Sequence, residues 1–198
     1  MRLTLASQSA SRRAMLTDAG VPFEAVAALV DEDAAKASFA AQAMSPRDTA
    51  DALAELKATK VGTLGVPGLV LGCDSIVALA DGRLLDKPVS RDDAAEHLSA
   101  MSGSVHELWS AAVIVEGRQP VWRHVERARM HVRPLSPAFI DAYLDAEWPA
   151  ISGCVGCYRI EGPGVQLFSR VEGSHFTVLG LPLLPLLGYL RTRGVMAS

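Results

Sequence analysis

Several short stretches of this 198-residue chain carry side chains that could do chemistry. Leu5-Ala6-Ser7-Gln8-Ser9-Ala10-Ser11-Arg12-Arg13 joins an apolar strand to the start of a helix. A helix N-terminus presents unpaired N–H groups and a partial positive charge; hydroxyls donate to phosphate oxygens, and guanidinium forks match phosphate geometry. No acid precedes Asp18, so the stretch reads as a phosphate cradle or as ordinary capping followed by a surface arginine pair. The glycine patterns of dinucleotide sites and P-loops are both missing. Asp31-Glu32-Asp33 is an acidic turn that could hold a divalent cation or sit in solvent as a loop or helix start. Gly72-Cys73-Asp74-Ser75 places an ionisable residue after apolar and small ones on a predicted buried strand. Carboxylates are rarely buried without partners, which makes Asp74 the best candidate general base. The alternative is a strand-end Asp bonded to a nearby loop. Lys87, in Asp86-Lys87-Pro88, is held in extended or turn backbone by its proline, as a counter-charge for polyphosphate or as a plain surface lysine.

Two further features are weaker. His106 follows Ser102-Gly103-Ser104-Val105 on an incoming strand, and a lone His is more often structural than catalytic. Arg123, Arg127, Arg129 and Arg133 fall near His124 and His131. The alternation from Arg127 to Val132 suits the wet face of a strand better than a nucleic-acid stripe, because no aromatic stacking pattern accompanies it. Cys154 and Cys157 form a C-x-x-C, but no second ligand pair exists for zinc and glycines surround it. Small buried thiols are the expectation.

These residues need elements to position them. A strand over Leu3–Ala6 leads through the polar loop to a helix ending near Ala19, capped by Ser9 or Ser11 and stopped by Gly20. Phe23–Val26 reads as a strand. Pro46 to about Val61 is the clearest long helix, with Leu53, Leu56 and Val61 on one side. Gly68–Ala80 reads as a buried strand closed by an Asp81-Gly82 hairpin turn. Arg91–Met101 is a predicted helix; Val105–Glu116 and Val121–Val132 are long strands. Pro137–Leu144 is helical, Gly153–Gly164 a glycine-rich loop system, and Val165–Phe168 and Phe176–Leu179 strands. A closing helix carries Leu183, Leu186, Leu187 and Leu190. Strands and helices intermix, so the class is α/β or mixed α+β. The softest boundary, near residues 81–90, does not warrant a split, and 1–198 is read as one domain.

Composition limits the function classes. Hydrophobic residues make up 49% and charged residues 21%, ordinary for a globular chain. The net charge of −3 gives no global drive toward nucleic acid or membrane. The longest apolar stretch, Phe176–Leu190, is broken by glycines and prolines and is shorter than the ~18 residues of a membrane span. Without a signal-peptide pattern at the N-terminus, the cytoplasm is the default expectation.

Taken in order, the stretches resemble the Maf family of nucleoside triphosphate pyrophosphatases. The matching pieces are L-A-S-x-S with Arg12-Arg13, Val30-Asp31-Glu32, Leu53-Ala54-Glu55-Leu56-Lys57-Ala58 and Gly72-Cys73-Asp74-Ser75-Ile76-Val77. They continue through Asp86-Lys87-Pro88, Met101-Ser102-Gly103 with His106, Gly156-Cys157-Tyr158-Arg159-Ile160-Glu161-Gly162 and Val178-Leu179-Gly180-Leu181-Pro182-Leu183. The resemblance implies a Maf/ITPase-like fold: an elongated mixed β-sheet flanked by helices, with two lobes and a central cleft. It implies cleavage of a nucleoside triphosphate between the α and β phosphates with a divalent cation, Mg²⁺ or Mn²⁺. By resemblance Asp74 is the catalytic acid, and Glu32 and Asp74 are the metal positions. Ser7, Ser9, Arg12, Arg13, Lys57 and Lys87 handle the polyphosphate, and Ser11, Ser75 and Glu161 sort substrates. The family is also linked to septum formation and cell-division arrest, so the rival reading is a non-catalytic or nucleic-acid-binding regulator. Many members have Lys where Cys154 stands and Gln where Glu161 stands. Glu161 accepts hydrogen bonds only, which argues against a dTTP or UTP preference and toward guanine, with 7-methyl-GTP as the alternative substrate. The two long central strands could support a homodimer.

Overall fold

The computed structural model describes residues 1–197. Among these, seven strands form one mixed sheet in the order β2-β1-β3-β5-β6-β7, with β4 paired to β3. The strands are β1 (Leu3–Ala6), β2 (Glu24–Ala25), β3 (Leu69–Ala78), β4 (Leu84–Leu85), β5 (Val105–Glu116), β6 (Gln119–Val132) and β7 (Phe168–Glu172). The helices are α1 (Ala10–Asp18), α2 (Glu32–Ala41), α3 (Pro46–Gly62), α4 (Arg91–Met101), α5 (Pro137–Glu147), α6 (His175–Val178) and α7 (Leu183–Thr192). β1 pairs parallel with both β2 and β3, while β3–β4 and β6–β7 are antiparallel, so the expected mixed α/β class holds. No helix of the described residues is long and apolar enough to cross a membrane.

The chain folds into two compact units. Among the described residues, one contains 1–75, 110–126 and 175–197; the other contains 76–109 and 127–174. The crossings do not use the 81–90 stretch: three fall inside β3, β5 and β6, and the fourth lies just after β7.

In the first unit, β3 is sided by the strand period of two. Leu71 and Cys73 join a core with Leu3 and Leu5 of β1, Met15 and Leu16 of α1, and Leu183, Leu186 and Leu190 of α7. Gly72 and Asp74 take the other face, against α3. There is no room for a side chain at Gly72: a Cβ would stand 2.0 Å from the Ala54 carbonyl oxygen and 2.7 Å from the Ala58 nitrogen. Ala54, Lys57 and Ala58 share one helical face at i, i+3 and i+4, so this contact is what delivers Lys57 to β3.

In the second unit, Arg91 of α4 reaches Asp141 (2.5 Å) and Asp145 (2.6 Å) of α5. His106 is wholly buried, and its Nε2 lies 3.0 Å from the Tyr158 hydroxyl. Burial pushes its pKa from 6.5 down to about 4. The neutral ring is a core residue, as the sequence favoured.

Two expectations need correction, and one alternative is settled. The acidic run Asp31-Glu32-Asp33 is a helix start, that of α2, with the Asp31 carboxylate accepting from the Ala34 N–H at 2.9 Å. No residue of α2 is buried, so it has no apolar stripe to read; its signal lay in the N-cap and the alanines. Residues 163–167 form a 3₁₀ turn begun by Pro163, and the strand follows at Phe168–Glu172. Phe176–Leu179 is not a strand: His175–Val178 is helical, closed by Gly180 at φ +97°. Short apolar runs fit either period, and here local carbonyls rather than a neighbouring strand take the N–H groups.

Replacing Gly72 by Ala is expected to destabilise the fold by ~2 kcal/mol or more, because backbone rather than a flexible side chain blocks the new methyl. Urea unfolding checks this, and wild-type stability would contradict the close approach. For His106, the unfolded chain takes up a proton between pH 6.5 and about 4 that the folded chain refuses. Its contribution is therefore full above pH 6.5 and lost as pH falls, by about 3 kcal/mol in all. His106→Gln should flatten the stability–pH curve in that window by about that amount; parallel curves for the two proteins would contradict it.

Candidate active site

Lys57 anchors the site. It is only 8% exposed, and its Nζ donates to Asp74 Oδ1 at 2.6 Å and pairs with Glu32 Oε1 at 2.9 Å. Asp74 is itself 5% exposed and sits within β3 rather than at its end. A charge this far from water needs a partner. One ammonium between two carboxylates leaves a formal negative charge, which is the electrostatic setting of a cation site. Among the described residues no three His, Cys, Asp or Glu side chains gather into a complete metal cage. Two carboxylates nevertheless fit an ion such as Mg²⁺, which takes one or two carboxylates and fills its remaining positions with water and substrate phosphates.

The opposite face of β3 carries the second cluster. Ser9 caps α1, its hydroxyl accepting from the Arg12 N–H, and no acid occupies the first turn. The Ser7 hydroxyl accepts from the Ser9 N–H at 3.2 Å. Arg12 turns back into the protein. Its Nε donates to the Gly180 carbonyl (2.8 Å), Nη1 to the Cys73 carbonyl (3.1 Å) and Ser7 Oγ (3.5 Å), and Nη2 to Ser75 Oγ (3.0 Å). A guanidinium has five N–H donors, and these bonds occupy all but one. Arg12 therefore ties β1, β3 and the 180 turn together, while Arg13 in the same helical turn is exposed. Gly180 permits the approach: a Cβ there would lie 3.2 Å from Ser75 Oγ.

Of the residues singled out in the sequence, Ser7, Ser9, Ser11, Arg12, Arg13, Glu32, Lys57, Asp74 and Ser75 all belong to the first unit. Lys87 and Glu161 belong to the second, both exposed. There, burial raises the Cys154 thiol; Glu161 adds to the rise, and Arg159 and Lys87 oppose it. Burial likewise pushes Cys157 up to about 12, so both thiols stay protonated at neutral pH. The arginine stripe is largely neutralised: Arg123 pairs with Asp51 and Glu55, Arg127 with Glu107, and Arg129 with Glu172.

Two groups of residues went unremarked in the sequence. Buried Glu147 accepts from Arg159 Nε (3.1 Å) and Nη2 (2.9 Å), fixing the segment that leads to Glu161. Ser110 donates to the Thr177 carbonyl at 2.8 Å and accepts from the Ser75 hydroxyl at 3.0 Å. A lone hydroxyl ahead of the apolar run Ala111–Val115 was the available signal.

A family model described as Maf-like protein matches residues 2–193. The chain is 50% identical to the nucleoside triphosphate pyrophosphatase of Caulobacter vibrioides, over 98% of this chain and 96% of that one. It is 52% identical to nucleoside triphosphate pyrophosphatase 1 of Jannaschia sp., over 99% and 98%. It is 48% identical to the 7-methyl-GTP pyrophosphatase of Rhizobium meliloti, over 98% and 97%. With that match running along nearly its whole length, the chain belongs to the Maf-like protein family.

Proposed function

We propose that the chain is a hydrolase that cuts nucleoside triphosphates between the α and β phosphates, releasing the monophosphate and pyrophosphate. The observation that carries the reading is buried Lys57 held between Glu32 and Asp74, a charge arrangement with a negative excess in the same compact unit as the hydroxyl-rich start of α1. The naming of relatives at about half identity over their full length supports it.

In this reading the α1 N-terminus, Ser7 and exposed Arg13 receive phosphate oxygens, while Ser9, its proton given to Ser11 and its N–H to Ser7, holds the start of the helix in place. Arg12, with most of its donors already engaged, holds that cradle in shape. Lys57 shares its charge between Asp74 and the leaving pyrophosphate; Lys87, in the second unit, is the further cation that the family resemblance assigns to polyphosphate. Asp74 takes a proton from the attacking water, which approaches the α-phosphorus in line with the leaving group. A divalent ion, Mg²⁺ or Mn²⁺, held by Glu32 and Asp74 would neutralise phosphate charge when bound. The family resemblance assigns base sorting to Ser11 and Ser75 of the first unit and to Glu161 of the second. A 7-methyl-GTP preference is the second reading; Glu161 favours it, since a carboxylate suits the N1–H and N2–H₂ donors of guanine. The paired arginines of β6 leave the nucleic-acid-binding alternative without local support.

Asp74→Asn should lower turnover by ~10²–10⁴ with divalent metal present. Near-wild-type turnover would remove Asp74 from the mechanism. Product analysis of the wild type should find pyrophosphate and monophosphate; inorganic phosphate alone would mean that a different bond is cut.

A further inference from the structure

Ser75 is read above as a base-sorting residue, and its hydroxyl has a direction that the hydrogen bonds fix. A guanidinium can only donate and a carbonyl can only accept. Arg12 Nη2 therefore gives its proton to Ser75 Oγ at 3.0 Å, and Ser110 gives its only hydroxyl proton to the Thr177 carbonyl at 2.8 Å. The Ser75–Ser110 contact at 3.0 Å can then be made only by the Ser75 proton. The polarity runs one way, from Arg12 through Ser75 and Ser110 to Thr177. Ser75 has no proton left for a ligand and offers only a lone pair.

A parallel run has the same sense. Ser11 Oγ donates to the Leu179 carbonyl at 3.2 Å, so its 3.1 Å contact with Ser9 Oγ uses the Ser9 proton. Ser11 too is left as an acceptor. Carbonyls of one short segment, 177–180, thus set both hydroxyls as well as the Arg12 Nε, which donates to Gly180. The far end is anchored: Thr177 Oγ1 donates to the Glu126 carboxylate, and Glu126 lies 3.3 Å from His124 Nε2.

We propose that Ser110 is a positioning residue for base selection: by taking the Ser75 proton, it makes Ser75 an acceptor and biases the site toward bases that present N–H donors. This rests on the nucleotide-hydrolysing reading and on Ser75 facing the base. Guanine offers N1–H and N2–H₂ side by side. Thymine and uracil offer one N–H flanked by carbonyls that an acceptor repels. Ser110 is wholly buried, so it acts on a bound base only through Ser75.

The test measures binding of the monophosphates GMP and dTMP, which reports base recognition without cleavage. In Ser110→Ala the Ser75 proton is released. The Thr177 carbonyl keeps the Gly180 N–H at 3.0 Å, so the fold loses little. The dTMP-to-GMP affinity ratio should rise about 5- to 10-fold, the worth of one hydrogen bond. Ser110→Thr keeps the hydroxyl and should keep the wild-type ratio. In a Ser75→Ala background, Ser110→Ala should move the ratio by less than about 2-fold. Equal losses for both nucleotides, an undiminished shift without the Ser75 hydroxyl, or no binding of either nucleotide overturns the proposal. Should Ser110→Ala fail to fold, Ser110→Cys, a weak donor and acceptor, must shift the ratio in the same direction. A shifted ratio in a protein that cleaves no triphosphate leaves this inference standing and sinks the enzymatic reading. Cleavage with an unshifted ratio does the reverse.

Discussion

Lys57 carries its charge into a region nearly closed to water, and the carboxylates of Glu32 and Asp74 are what make that tenable. Removing the lysine would leave two carboxylates without their shared cation where solvent compensates poorly. The rest of the first unit is arranged to permit this cluster. Gly72 gives up its side chain so that α3 can lie against β3, and Ala54 and Ala58 keep the helix surface low on each side of the lysine. Asp31 caps α2 so that Glu32 enters from a third element. Three stretches distant in sequence meet at one nitrogen atom.

The strand period divides the remaining labour. Asp74 and Ser75 are neighbours in the chain but face opposite sides of β3. One side concentrates charge around the lysine. The other concentrates directional hydrogen bonds around Arg12, with backbone carbonyls as the fixed acceptors. Charge handling and shape recognition can therefore change separately, because a substitution on one face leaves the other face's partners in place.

Much of this was legible beforehand because it was local. The Ser9 cap, the Gly20 stop, the long α3 helix and the extents of α4 and β5 follow from capping residues and apolar periods, and the structure has them. Asp74 stood out because an acid followed an apolar run, and it does lie buried beside a cation. What was not legible depends on tertiary partners. Nothing in Arg12-Arg13 tells which arginine turns inward; that is decided by carbonyls some 60 and 168 residues away. The helical turn at 175–178 and the exposed α2 escaped because neither has enough apolar residues to establish a period. Ser110 was passed over because its role exists only through Ser75.

The interleaving of the two units bears on how the protein is made. The first unit's core needs Leu183, Leu186 and Leu190 beside Leu3 and Leu5, so its opening and closing segments must find each other across almost the whole sequence. A nascent polypeptide leaving the ribosome can assemble much of the intervening material, but it must leave β1 without its final covering until the last helix emerges. Long-range closure of this kind slows folding and prolongs exposure of apolar surface. The stretch carrying α6 and α7 thus acts as the closing stitch of this unit, and a chain lacking it would keep an open seam over β1.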